Sequence, residues 1–281
     1  TTEIYTPSLH DALPISTSKA TLLNYGAGYF YRLVANCSHQ LIVFEQALKN
    51  NLALSLPIAF IPHYISSEPV ISPTAAKEKL SLQNDIIYAL YFGYLAPYKG
   101  ILPLIKNWPQ PAPQVEGQPV QLIIAGGANP NHQKQKKLQQ YVGAVQQLAA
   151  EKKLLTTGFI SDRELPVYLS ACDLMIFPYQ TFMSSSGPLA LSFSYSKPCL
   201  LSEPLRAYAQ SSDFAHNLAE CQLKIDDLLF NPQQADSIKI ALKKLWEQRQ
   251  QRIKFAQLMM SSRHLSVVAA KTYQILFPTA N

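Results

Sequence analysis

Three short stretches hold residue types that could meet an anionic ligand. In YFGYLAPYKG (91–100), Gly93 ends an apolar run and Lys99-Gly100 opens a helical pattern at ILPLIKNW. A lysine so placed can turn its ammonium toward a phosphate as a point charge. In IIAGG (123–127), Gly126 and Gly127 directly follow an apolar run. Glycines there either let a ligand approach the backbone or simply make a turn. In FPYQTFMSSSGPLALSFSYSKP (177–198), Pro188 suits the first turn of a helix. Ser185, Ser186 and Gly187 then form its N-terminal turn, where free N–H groups and the positive dipole end attract anions. The alternative for that stretch is a plain serine-capped helix.

These loops need a scaffold that brings them to one edge. The apolar runs DIIYALYFGY (85–94), VQLIIAGG (120–127), LLTTGF (154–159), LMIFPY (174–179) and PCLLSE (198–203) are short and bounded by Gly, Pro or Asp. Continuous apolar runs of that length suit strands buried on both faces of a parallel sheet. Helical patterns separate them: Leu138, Tyr141, Val142, Val145 and Leu148 form one apolar stripe. DRELPVYLSA after Ser161 carries capping residues and a Glu that complements the helix dipole. The alternation predicts an α/β fold with a doubly wound parallel sheet, whose ligands bind beyond the carboxyl ends of the strands. The expected strand ends at Gly93, Gly126, Phe159 and Tyr179 therefore share one edge. Upstream, residues 22–38 read as a helix, HQLIVF as a strand, EQALKNN as a helix start and IAFIPHYI (58–65) as a second strand. The Ser- and Pro-rich stretch 66–84 reads as a linker. Two amphipathic helices, about 233–260 and 264–276, close the pattern.

Composition narrows the class. With 48% hydrophobic and 15% charged residues the chain is globular, not disordered. No run reaches the ~18–20 apolar residues that span a bilayer. The net charge of +6 fits phosphate-bearing ligands or an anionic membrane surface, and equally a solvated helix face. Cys37, Cys172, Cys199 and Cys221 are widely spaced without a CxxC, which fits a reducing compartment. The histidines show no ligand spacing, so no metal is expected. Residues 1–15 resemble the translation of a widely used sequencing adapter, TTEIYTLSLHDALPI, with Pro7 in place of a leucine. They carry no signal- or transit-peptide pattern and are set aside as a processing scar.

Taken in order, YFGYLAPYKG, VQLIIAGG, TTGFISDRELPVYLSACDLMIFPY and SSSGPLALSFSYSKP resemble the C-terminal half of a glycosyltransferase family 4 enzyme of the GT-B fold. HQLIVFEQALKN…IAFIPHYI resembles the tail of that fold's N-terminal domain, and RHLSVVAAKTYQILF its final helix. The resemblance implies an adapter-derived leader (1–15), the tail of an N-terminal acceptor domain (16–65), a linker (66–84), a Rossmann-like nucleotide-sugar-binding domain (85–262) and a returning C-terminal helix (263–281). It also implies that most of the acceptor-binding domain is missing.

In the family, an Arg and a Lys bind the donor diphosphate. Lys99 matches the lysine, whereas Tyr94 or Ala96 stands at the arginine. The family's paired glutamates fall near Ser184 and Leu191, and a leucine cannot accept a hydrogen bond from ribose. Phe159 and Ile160 match positions whose backbone meets the base, and Gly93, Gly126, Gly127, Ser185, Ser186 and Gly187 line the implied donor site. Asp173 reads as structural. The implied activity is retaining, metal-independent transfer from a nucleotide-diphosphate sugar to a glycan or lipid-linked acceptor. Lys99 would be the catalytic cation, with no further cofactor and no nucleic-acid partner. A cytoplasmic place, peripheral at the inner membrane face, and an inactive fragment follow from the same resemblance. A non-catalytic nucleotide- or glycan-binding relative, and a sugar-nucleotide epimerase, remain as alternatives.

Overall fold

A computed structural model of the chain describes residues 40–51, 57–132, 135–184 and 186–277. The leader 1–15, the helix expected over 22–38 and Ser185 lie outside the described residues. The chain divides into two compact units, up to Pro62 and from His63. In the first, strands β1 (Leu41–Val43) and β2 (Ile58–Phe60) pair in parallel, with Leu41 opposite Ile58, and helix Gln46–Asn51 lies between them in sequence. Parallel partners need such a crossover, so this is one β-α-β turn of a Rossmann-like fold.

The second unit is built on β3 (Ile87–Phe92), β4 (Gln114–Val115), β5 (Gln118–Ala125), β6 (Leu155–Gly158), β7 (Leu174–Phe177), β8 (Cys199–Ser202) and β9 (Leu229–Phe230). Except for β4, which pairs antiparallel with the start of β5, all pairings are parallel. The parallel strands run β6-β5-β3-β7-β8-β9. Numbered along the chain, that order is 3-2-1-4-5-6, the doubly wound arrangement, and its direction reverses between β3 and β7. The short β4 and β9 are additions to the sequence-based expectation.

Along β3 the residues alternate between two cores. Ile87, Ala89 and Tyr91 join Leu122, Ile124, Ile176 and Leu200. Tyr88 and Leu90 join Ile123, Met175, Phe177 and Leu201 on the other face. Both faces are covered, which is why these strands read as unbroken apolar runs.

Two expectations change. The stretch read as a linker carries helix Pro73–Lys79, started by Ser72, whose hydroxyl accepts the Ala75 N–H, and by Pro73 in the first turn. Its Lys77 ammonium, buried, binds Asp173 Oδ2 at 3.1 Å, and that carboxylate also accepts the Tyr88 N–H at 2.9 Å. Asp173 therefore ties this helix to the amino end of the sheet, opposite the candidate site. The helix expected over 233–260 is two, Ala235–Glu247 and Arg249–Ser262, separated at Gln248. Just beyond that break, buried Arg252 donates to Gln248 Oε1 at 2.9 Å and to the carbonyls of Asp227 and Cys199, contacts that fix the second helix on the core.

Candidate active site

The reversal between β3 and β7 is where the sheet opens beyond its strand ends, and Lys99 sits there. Pro97–Lys99 form a single tight turn, and Gly100 takes a left-handed conformation, φ 68°. A β-carbon at Gly100 would stand 1.8 Å from the Pro178 carbonyl oxygen, so only glycine lets this loop close on the one after β7. The Gln180 N–H donates to Tyr98 O at 2.7 Å and locks the two loops together. The Lys-Gly pair is thus a backbone requirement that also aims the lysine.

Lys99 is 7% exposed. Its ammonium lies 5.8 Å from the centre of the Tyr179 ring. A β-carbon on Gly93 would meet Lys99 Nζ at 2.7 Å and Pro188 Cγ at 3.4 Å, so the ammonium, the end of β3 and the start of helix Gly187–Ser194 converge. Gly93 is itself at φ 129°, a conformation that favours glycine. Among the described residues no hydrogen bond or ion pair engages the Lys99 ammonium. Burial without a counter-ion lowers its pKa to about 8. A cation kept in this state is costly unless an anion completes it.

The helix start contributes less than expected. Ser186 is its cap: the Ser186 hydroxyl accepts the Leu189 N–H at 3.3 Å and meets Tyr179 OH at 3.1 Å. The Ala190 N–H goes to Ser186 O at 3.0 Å, and Pro188 has no N–H. A β-carbon on Gly187 would meet nothing within 4 Å. The stretch is therefore a serine-capped helix whose Gly187 N–H has no acceptor among the described residues.

The glycines after β5 have packing reasons. A β-carbon at Gly126 would stand 2.0 Å from Gly93 O, and the Gly93 and Leu95 N–H groups donate to Ala125 O and Gly127 O at 3.0 and 2.9 Å. At Gly127 it would stand 3.1 Å from Phe159 N. These residues press the ends of β3, β5 and β6 together and set two rings at the rim. Tyr94 and Phe159 are 41% and 59% exposed, with ring centres 6.5 Å apart and planes 15° from parallel. The Ile160 side chain packs into the core. Leu191, at one of the two positions matched to the family's glutamates, packs against the same core. Ser184 is half-buried just before the helix.

Sequence reasoning did not single out Glu203, a carboxylate at the end of β8 held by Arg206 Nε at 2.5 Å. Its neighbourhood in PCLLSEP is an ordinary strand end, and only the sheet order puts it on this edge. Among the described residues no group of His, Cys, Asp and Glu side chains gathers to hold a metal ion.

An α/β sheet of this strand order is a doubly wound, Rossmann-like domain. The family model for glycosyl transferases group 1 matches residues 73–257, and the chain belongs to that family. The fold is that of GT-B glycosyltransferases. Sucrose-phosphate synthase from Thermosynechococcus elongatus is similar at 17% identity and TM-score 0.66, over 89% of this chain and 61% of that one. Anabaena Alr3699/HepE, solved with UDP and glucose, is similar at 17% identity and TM-score 0.62, over 87% and 66%. A glycosyltransferase from Rickettsia africae gives 11% identity and TM-score 0.62, over 86% and 64%. The chain thus spans less than two thirds of the length of these structures. No curated protein matches it. Among the described residues no helix is long and apolar enough to cross a membrane.

Proposed function

We propose that this chain is the donor-binding part of a retaining, metal-independent glycosyltransferase that takes a nucleotide-diphosphate sugar and passes the sugar to a glycan or lipid-linked acceptor. The observation that carries this reading is the buried Lys99 ammonium, without a counter-ion, at the point where the sheet order reverses. Lys99 and the Gly187 N–H bind the diphosphate, and as the bond from the sugar's anomeric carbon to the phosphate oxygen breaks they stabilise the charge of the leaving nucleoside diphosphate. The Tyr94 and Phe159 rings offer a flat face to the base, a contact that every base can make. Anabaena HepE, solved with UDP and UDP-glucose, supports a donor of this kind. Peripheral contact with the inner membrane face from the cytoplasm belongs to the same reading and is supported by the +6 net charge.

Calorimetric titration of the chain with pyrophosphate, UDP, ADP and GDP tests it. Binding of at least one nucleoside diphosphate that is lost in Lys99→Ala is expected. Undiminished affinity in the variant removes Lys99 from the site. A non-catalytic nucleotide-binding relative is the second reading, favoured by Leu191, which places a packed aliphatic where the family has a carboxylate. Sugar transfer separates the two readings. We expect these residues alone to bind without turnover.

A further inference from the structure

A second opening lies beside the Lys99 loop, at the carboxyl ends of β7, β8 and β9. It is a solvent-connected cavity of about 670 Å³. Tyr179 and Gln180 form the wall nearest the Lys99 loop, so the two sites share one short segment of chain. The volume lies within the range of ~300–1,000 Å³ usual for small-molecule sites.

Its lining specifies a ligand class. The ionisable group is a carboxylate, Glu203, and no lysine or arginine lines the cavity. Arg206 pairs with Glu203 from outside the lining, so no cation within the cavity is left to bind a phosphate or nucleotide. The remaining polar side chains are the amides of Gln180, Asn231 and Gln233 and the hydroxyls of Tyr179, Ser202 and Ser237. Asn231 Oδ1 accepts the Gln233 N–H at 2.9 Å, which leaves the Asn231 NH₂ to donate. The side-chain amides of Gln180 and Gln233 make no hydrogen bond among the described residues. Each presents an acceptor and donors side by side, the pattern that neighbouring hydroxyls complete. The Glu203 oxygens, though bound by Arg206 at 2.5 and 3.2 Å, keep lone pairs for hydroxyl donors. Between these groups, Pro204, Phe230 and Pro232 supply apolar surface for C–H faces. Uncharged, rich in vicinal hydroxyls and apolar on its ring faces describes a sugar.

We propose that this cavity binds a neutral saccharide, a glycan segment lying next to the donor site and separate from it. The ligand class follows from the lining, so the proposal stands or falls independently of whether Lys99 binds a diphosphate. It predicts that the chain engages its glycan on this side of Tyr179.

The test is backbone-amide NMR of the whole chain, titrated at millimolar concentration with methyl glycosides of glucose, galactose and mannose and their disaccharides. Inorganic phosphate serves as the charged probe. Saturable shifts at Glu203, Asn231 and Gln233 with at least one sugar, and none there with phosphate, are expected. Gln233→Trp fills the cavity without removing a hydrogen bond of the folded chain and should weaken the sugar about tenfold or more. Unchanged amide resonances away from the cavity in the same variant report that the fold is intact. The proposal is overturned if no sugar shifts these amides, if phosphate does so instead, or if Gln233→Trp binds the sugar as tightly as before.

Discussion

The Lys99 ammonium lies 5.8 Å from the centre of the Tyr179 ring, the last aromatic of the β7 segment, with no acid to pair with among the described residues. The ring face offers a cation partial compensation, on the order of 1–2 kcal/mol when desolvated. That is less than burial removes, so the lysine is held there against the stability of the fold.

Replacing it should therefore stabilise the protein. The pKa falls from 10.5 to about 8, so the folded chain binds fewer protons than the unfolded chain between those values. The cost is fully present below pH 8 and disappears as pH rises toward 10.5, because stability rises with pH wherever the unfolded state holds more protons. Lys99→Met, of similar length and without charge, should gain about 1–3 kcal/mol at pH 7 by chemical denaturation. The gain should shrink through the pH 8–10.5 window. A loss of stability at pH 7 would show that the ammonium is compensated.

Anion binding should carry the opposite proton linkage. A diphosphate beside Lys99 favours the charged form, so binding above pH 8 takes up a proton. Pyrophosphate affinity should be level up to about pH 8 and fall above it, with the proton uptake visible by calorimetry in buffers of different ionisation enthalpy. Affinity that stays level to pH 10 would place the anion elsewhere.

The two rim rings should matter for the base and not for the phosphates. Tyr94→Ala and Phe159→Ala are each expected to weaken a nucleoside diphosphate by about five- to a hundredfold, as stacking contributes ~1–3 kcal/mol per base. Pyrophosphate should bind as before. Tyr94→Arg should act in reverse, raising pyrophosphate affinity tenfold or more, because a charge-assisted hydrogen bond contributes ~1.5–3 kcal/mol. Equal losses for both ligands in the alanine variants would mean that the rings only brace the loop.

Two glycines with similar backbone angles should respond differently to alanine. Gly100, φ 68°, has the Pro178 carbonyl where a β-carbon would go, whereas Gly117, φ 79°, has open space. Gly117→Ala should cost about 1 kcal/mol for the left-handed conformation alone. Gly100→Ala should cost several times more and abolish pyrophosphate binding, because the loop that aims Lys99 must open. Thermal denaturation and titration of the two variants side by side decide this.

The sequence by itself determined the doubly wound parallel core. Runs such as IYALYF and LMIF are apolar at every position because both faces of their strands are covered, and that pattern is local and readable. Pro188 was equally legible, since a first-turn proline announces itself within a few residues. Only the tertiary structure decided what each group does at the edge. In sequence Gly126 fits either a ligand's approach or a turn, and in the fold it lies where the β3 and β5 ends touch. Ser186 reads like an anion donor and is occupied as a cap. Tyr94 and Phe159, 65 residues apart in sequence, become a pair because β5 lies between β3 and β6. The short β9 carries too few residues to show a period, and it is recognised by its neighbour β8 alone. Local chemistry sets conformation within one element, whereas burial, pairing and the pKa of Lys99 depend on neighbours that only the folded sheet brings together.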